Sequence, residues 1–156
     1  MATELRLPMP HMHLNPDAGA SQVVNVPTWI WIGRSGWRPV TETVKVTGAS
    51  VTATAKPQRV VWSMGNGDSV TCQGPGTPYS ARFSAASPSP DCGYVYTRSS
   101  AGQPDEAFTV RATVTWDVTW HGAGKGGRIP GLRTATQAPV RVSEVQGVVT
   151  DKSGAI

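Results

Sequence analysis

Residues 108–120 read Phe-Thr-Val-Arg-Ala-Thr-Val-Thr-Trp-Asp-Val-Thr-Trp, and every second residue is apolar. The apolar side chains share one parity from Phe108 to Trp120, while threonines, Arg111 and Asp117 hold the other. Successive side chains of a strand point to opposite faces, so the pattern predicts one long strand with a buried and a solvated face. The segment therefore predicts an antiparallel β-domain that packs one face of its sheet on a core.

Shorter runs rich in Val, Thr and Trp precede and follow this segment, and Gly- or Pro-containing turns separate them. Strands are predicted at 23–26, 28–32, 41–46, 50–55, 59–64, 94–96 and 138–149. The glycines of 122–127 are predicted to form a hairpin loop before the last strand. Strands at this spacing, with no helical periodicity between them, predict a sandwich or a barrel.

The chain has 156 residues, which suits a single domain with a core of its own. Residues 1–21 hold three prolines and two histidines and show little periodicity, so we expect an extended lead-in or linker there. The domain is expected to span 22–150, followed by a tail at 151–156.

The net charge of +4 comes from basic residues that are spread from Arg6 to Lys152. No run of them would track a phosphate backbone, which argues against a nucleic-acid partner. The closest group is Lys125, Arg128 and Arg133, around one predicted loop. No stretch approaches the ~20 apolar residues of a membrane span, so none is predicted in this chain.

The segment Val60-Val61-Trp62-Ser63-Met64-Gly65-Asn66-Gly67-Asp68 resembles the hallmark of PKD domains, which are immunoglobulin-like modules of surface and secreted proteins. The resemblance covers about Val51 to Trp120 and implies an immunoglobulin/PKD-like antiparallel β-sandwich. Asn66 stands where the family has an acidic turn residue. We expect Trp62 to fill the space between two sheets, Gly65, Asn66 and Gly67 to form a tight turn, and Asp68 to accept backbone N–H groups.

The whole chain also resembles a group of secreted actinobacterial proteins of unknown function. It shares with them the segments Pro27–Trp31, Gly74–Tyr79 and Ser89–Tyr94. That likeness implies a secreted or cell-surface protein whose two cysteines are oxidised. The N-terminus lacks the shape of a signal peptide, so an exported protein would here be a mature form or carry a new start Met.

Two cysteines, Cys72 and Cys92, lie in loop-like sequence. In an oxidising compartment such a pair forms a disulfide, and we predict one here. The alternative is two unrelated thiols in a cytosolic protein.

Catalytic and cofactor motifs are weak in this sequence. Lys125 of the glycine-rich segment is followed by Gly126, where a phosphate-binding loop needs Ser or Thr. His11 and His13 have no further Cys or His nearby in sequence to complete a zinc site. No Gly-x-Ser-x-Gly nucleophile elbow occurs in the sequence. We therefore expect no enzyme activity, no cofactor and no metal site.

The tryptophans are the better guide to binding. Trp37 follows a glycine-flanked turn between Arg34 and Arg38, a composition found at interface hot spots. Trp29 and Trp31 share a parity and are either core residues or further exposed rings. The predicted function is a non-catalytic exported module for adhesion, scaffolding or assembly at the cell envelope, with a protein or cell-wall polysaccharide as partner. The alternatives are a carbohydrate-binding module that uses Trp37, Trp29 and Trp31 and, more remotely, a hydrolase or nucleotide-binding enzyme.

Overall fold

The computed structural model describes residues 5–84 and 86–144, and nearly all regular structure in them is β-strand. The strands are β1 Met12–Asn15, β2 Gln22–Val23, β3 Pro27–Ile32, β4 Val40–Val46, β5 Ala49–Ser63, β6 Ser69–Cys72, β7 Gly93–Val95, β8 Phe108–Gly122, β9 Lys125–Val140 and β10 Val142–Ser143. Short 3-10 turns occupy Arg34–Gly36 and Pro104–Glu106. The predicted tail at 151–156 and the end of the predicted last strand lie outside the described residues.

Two antiparallel sheets account for most of the fold. The long sheet has the order β4-β5-β8-β9, with β6 also paired to β5, and the small sheet has the order β1-β3-β7. A separate parallel pair joins β10 to β2. With the single disulfide described below, this confirms an all-β, antiparallel β-sandwich.

The core lies between the long and the small sheet. Val60 and Trp62 of β5 and the even-numbered residues 108–118 of β8 are buried, and they form one cluster with Ile30 and Ile32 of β3. Alternation along β8 therefore has the predicted effect, since Phe108, Val110, Ala112, Val114, Trp116 and Val118 are all at most 2 % exposed. Burial of this stripe contributes apolar area to the core and so favours folding.

Part of the predicted lead-in belongs to the domain. β1 pairs antiparallel with β3 from Met12↔Ile32 to Asn15↔Trp29, and Leu14 is buried in the core. The expectation of a linker over 1–21 is thus wrong for these residues. They were hard to recognise because a four-residue strand flanked by prolines carries almost no periodicity.

The predicted glycine loop at 122–127 is also shorter than expected. Only Ala123 and Gly124 lie between β8 and β9, and both have positive φ, +53° and +75°. Two-residue turns of this kind match the twist of a hairpin and let the strands pair up to the turn. Lys125, Gly126 and Gly127 are therefore part of β9, which runs on to Val140.

The predicted disulfide is present between Cys72 and Cys92, with a Cα–Cα distance of 5.7 Å. Cys72 ends β6 in the long sheet, and Cys92 immediately precedes β7 in the small sheet. The bond therefore joins the long sheet covalently to the small sheet.

Candidate functional site

The long sheet has two halves that differ in how far their inward side chains are buried. We call the hairpins formed by residues 40–54 and 119–132 the distal half, and the remainder of β5, β8 and β9 the proximal half. In the proximal half the inward side chains of β5 and β8 are buried, apart from Pro57 at a register shift. The distal residues Val44, Val51 and Trp120 are only half-buried. Every residue of β9 from 125 to 133 is exposed.

The distal half has an apolar surface. It lies on the same side of the long sheet as the core of the proximal half. Strand register places Val44 opposite Val51, Ala53 opposite Trp120, and Ile129 and Leu132 opposite the core residues Val118 and Trp116. Ile129 is 47 % and Leu132 is 37 % exposed. We call the set Val44, Val51, Ala53, Trp120, Ile129 and Leu132 the distal apolar face.

Trp120 lies flat at the centre of this face because its cross-strand partner is a glycine. A Cβ placed on Gly127 would be 2.6 Å from Nε1 and 2.8 Å from Cε2 and Cζ2 of the indole. The indole ring therefore packs directly on Gly127, and its other face is turned away from the sheet. Glu42 and Lys125 flank this position on the same side of the sheet and give it a polar rim.

Trp29, one of the predicted binding residues, is fully buried. Its Nε1 donates to the Ser87 carbonyl at 2.8 Å, and its ring contacts Tyr79 and Phe83 of the long loop before β7. That loop covers the outer side of the small sheet, which the strand pattern alone could not show. Trp29 is therefore removed from any surface that a ligand could reach.

Trp31 and Trp37 keep partial exposure, and Arg34 and Arg38 are exposed. The Trp31 ring stacks on His13 with a centroid distance of 5.4 Å and an interplanar angle of 13°. Trp37 packs partly against the core at the end of the first 3-10 turn. Since Trp29 is buried, the three predicted rings do not share one exposed surface.

The predicted structural motif around Trp62 combines a buried ring with a tight turn that contains two glycines. Trp62 is fully buried, and its Nε1 has no hydrogen-bond partner among the described residues. Gly65 has φ of +85°, and a Cβ there would lie 2.7 Å from Cβ of Phe108, so the turn needs glycine. Gly67 has φ of +97°, and Asn66 Oδ1 accepts the Asp68 backbone N–H at 3.0 Å.

Asp68 differs from its predicted role. Its carboxylate accepts a hydrogen bond from the Tyr94 hydroxyl at 2.5 Å rather than from backbone N–H groups. Asn66 Nδ2 also donates to the Tyr94 oxygen, at 2.8 Å. Burial, and then the hydrogen bond to Asp68, raises the pKa of Tyr94. Hydrogen bonds of the motif thus link the turn after β5 to β7 of the small sheet.

Within the part of the chain that the structure describes, no three His, Cys, Asp or Glu side chains are grouped closely enough to hold a metal ion. Likewise, over residues 5–84 and 86–144, no helix has the length and apolar character needed to cross a membrane.

Comparisons with protein-family models, with curated proteins and with solved structures found no match for this chain. The resemblance to PKD domains and to secreted actinobacterial proteins therefore stays a prediction.

Proposed function

We propose that this protein is a non-catalytic binding module that serves adhesion, scaffolding or assembly at the cell envelope. The observation that carries the proposal is the distal apolar face, which the small sheet leaves open to solvent. Contiguous exposed apolar surface is costly for a monomer and is typical of interaction sites. A partner protein with a complementary apolar patch would bury it.

The composition of the distal apolar face suits protein docking. Trp120 occupies its centre, aliphatic side chains surround it, and Glu42 and Lys125 lie at its edge. Protein interfaces have the same organisation, with an aromatic anchor in a dry centre and charged residues at the rim. Because Gly127 holds the indole flat, little side-chain entropy would be lost when a partner covers the ring.

A location outside the cytoplasm is part of the same proposal. The Cys72–Cys92 disulfide supports it, because structural disulfides persist in oxidising compartments and are rare in the cytosol. The likeness to secreted proteins points the same way.

The test is co-sedimentation of the purified protein with envelope fractions of the cells that produce it. The double variant Ile129→Ser/Leu132→Ser removes apolar area from the distal apolar face. Met9→Ser/Val95→Ser is the matched control, because Met9 and Val95 are also exposed apolar residues, at 59 % and 41 %, but lie elsewhere.

We expect the distal pair to reduce the bound fraction by about tenfold and the control pair to leave it within about twofold. Equal loss in both variants, or absence of binding by the unchanged protein, would contradict the proposal.

A second candidate function is carbohydrate binding, favoured by the half-buried Trp31 ring and its stack on His13. Partly exposed indoles stack on the apolar faces of sugar rings and remain hydrated at their edges. Trp31→Ala and Trp37→Ala should then each weaken retention on insoluble cell-wall polysaccharide, while the Ile129→Ser/Leu132→Ser variant should not. Unchanged retention in both Trp variants would exclude this use of the rings.

A further inference from the structure

The solvent face of the long sheet, opposite to the core, is strongly basic. Strand parity and register place six exposed basic side chains on it: Lys45 of β4, Lys56 and Arg59 of β5, Arg111 of β8, and Arg128 and Arg133 of β9. We call this surface the outer face. The residues are far apart in sequence, so only the folded sheet brings them together.

The basic residues follow the strand direction rather than forming one spot. Arg59 and Arg133 flank Thr115 in one row, Arg111 lies four residues away along β8, and Lys56 and Arg128 lie in rows on the other side. At about 3.4 Å per residue, the track from Arg111 to the row of Lys45 is on the order of 40 Å long. Its geometry suits an extended ligand with repeated negative charges.

Acidic residues hardly offset this charge. Asp117 is the one acid that β4, β5, β8 and β9 place on the outer face, and it forms an ion pair with Arg128 at 2.6 Å. Glu42, the other acid of these four strands, lies on the opposite side of the sheet by parity. Asp117, which also lies opposite Lys56, is thus the one carboxylate that these strands place among six basic side chains.

Hydroxyl groups fill much of the remaining surface. Thr41 and Thr54 hydrogen-bond across the strands at 3.2 Å, and Thr43 and Thr52 do so at 3.0 Å. Such hydroxyls can both donate and accept, which matches the hydroxyl groups of a sugar. Single-stranded nucleic acid, by contrast, needs aromatic platforms for its bases, and His121 is the one ring that the four strands place here.

We propose that the outer face binds a linear acidic polysaccharide. Carboxylate or other anionic groups along the chain would pair with the guanidinium groups of Arg59, Arg111 and Arg133, which suit bidentate contacts. Threonine hydroxyls would contact the sugar hydroxyls between them. The inference rests on the proposed function only in treating the protein as a binding module, because it uses the opposite side of the sheet.

The experiment compares two triple variants of equal net charge. Arg59→Gln/Arg111→Gln/Arg133→Gln neutralises the outer face, and Arg34→Gln/Arg82→Gln/Arg98→Gln removes three exposed arginines that lie outside the long sheet. Binding is measured on immobilised polygalacturonate, on neutral dextran and on a thymidine oligonucleotide, over a range of salt concentrations.

We expect the unchanged protein to bind polygalacturonate and not dextran, with an affinity that falls as salt rises. The outer-face variant should lose about tenfold or more in affinity, and the control variant should stay within about twofold. An equal loss in both variants would show that net charge alone attracts the polymer, and it would overturn the proposal. Tighter binding of the oligonucleotide than of polygalacturonate would overturn the choice of ligand.

The Ile129→Ser/Leu132→Ser variant separates this inference from the proposed function. If the outer face acts as proposed, that variant should bind polygalacturonate like the unchanged protein, whatever its behaviour with envelope fractions. A comparable loss there would place the polysaccharide on the distal apolar face and contradict the inference.

Discussion

β5 and β8 each pass through two environments. In the proximal half, Val60 and Trp62 of β5 are fully buried beneath the small sheet. In the distal half, Val51 of β5 and Trp120 of β8 face the same side of the sheet and are only half-buried. The register shift between Pro57 and Arg59 brings odd-numbered Val51 to the side of even-numbered Val60 and Trp62. Alternation thus determines which face of a strand is apolar, while a second layer determines whether that face is buried in a core or open to solvent.

The two halves should also differ in what they contribute to stability. Buried apolar area and the disulfide are concentrated in the proximal half, so the free energy of folding should come mainly from there. The distal half keeps its hydrogen-bonded hairpins but buries less. Substitutions on the distal surfaces should therefore lower the free energy of unfolding less than substitutions in the proximal core.

The largest contrast is expected between Trp62→Ala and Trp120→Ala. Trp62→Ala should lower the free energy of unfolding by about 3–5 kcal/mol, because it leaves a cavity in a dry core. Trp120→Ala should cost about 1 kcal/mol, since the ring is only partly buried and water can fill the site. Urea unfolding measures both. Equal costs would show that the distal half is packed as tightly as the proximal half.

The disulfide offers the next contrast. Cys72→Ser/Cys92→Ser opens a loop with a sequence separation of 20 and should cost about 3 kcal/mol, because the unfolded chain gains freedom. The bond lies in the proximal half, so affinity for envelope fractions should persist wherever the variant is still folded. Loss of binding in folded, disulfide-free protein would mean that the distal surfaces depend on the sheet-to-sheet link.

Alkaline pH should act on the proximal half. Tyr96 is buried and donates to the Met64 carbonyl at 3.0 Å, and burial, followed by the nearby Tyr94, raises its pKa. A folded-state pKa above the unfolded value of 10.0 means that this contribution is complete below pH 10 and is lost as pH rises further.

Unfolding free energies measured across that range should therefore fall steeply in the unchanged protein. Tyr96→Phe should flatten the decline, at a cost of about 1 kcal/mol near neutral pH from the lost hydrogen bond. A decline of the same steepness in Tyr96→Phe would assign the alkaline sensitivity to other groups.

Gly127→Ala should have the smallest effect on stability and a clear effect on the distal surface. The new Cβ would displace the Trp120 ring, which can swing outward, so the cost should stay below about 1 kcal/mol. Tryptophan fluorescence should shift to the red and become easier to quench. Gly126→Ala is the control, because a Cβ there approaches the Trp120 carbonyl and His121 rather than the indole. An identical spectrum for both variants would contradict the packing of the Trp120 ring on Gly127.

The sequence predicted the class of fold, β8, the burial of Trp62 and the disulfide, because each depends on local alternation or on a pair of residues. It missed β1, since the short strand gains its order from pairing with β3. It left open whether Trp29 is a core residue or an exposed ring, because the covering residues Tyr79 and Phe83 come from a distant loop.

The two proposed binding surfaces were harder still to predict. Arg59 and Arg133 are separated by more than seventy residues, and only register places them on either side of Thr115. The parity of charged residues along β8 and β9 is the available signal, but the glycines at the start of β9 have the composition of a loop. Trp120 was recognised as an inward residue, although its exposure depended on where the small sheet ends.

Native-state hydrogen exchange, resolved by residue, tests the division of the long sheet most directly. Amides of residues 59–63 of β5 and 110–116 of β8 should exchange only through global unfolding, because tertiary packing covers them. Amides of 50–54 and 119–122, on the same two strands, should exchange through smaller openings at a lower free energy. Uniform protection along both strands would contradict the division into a proximal and a distal half, since it would make the distal half part of the same cooperative core.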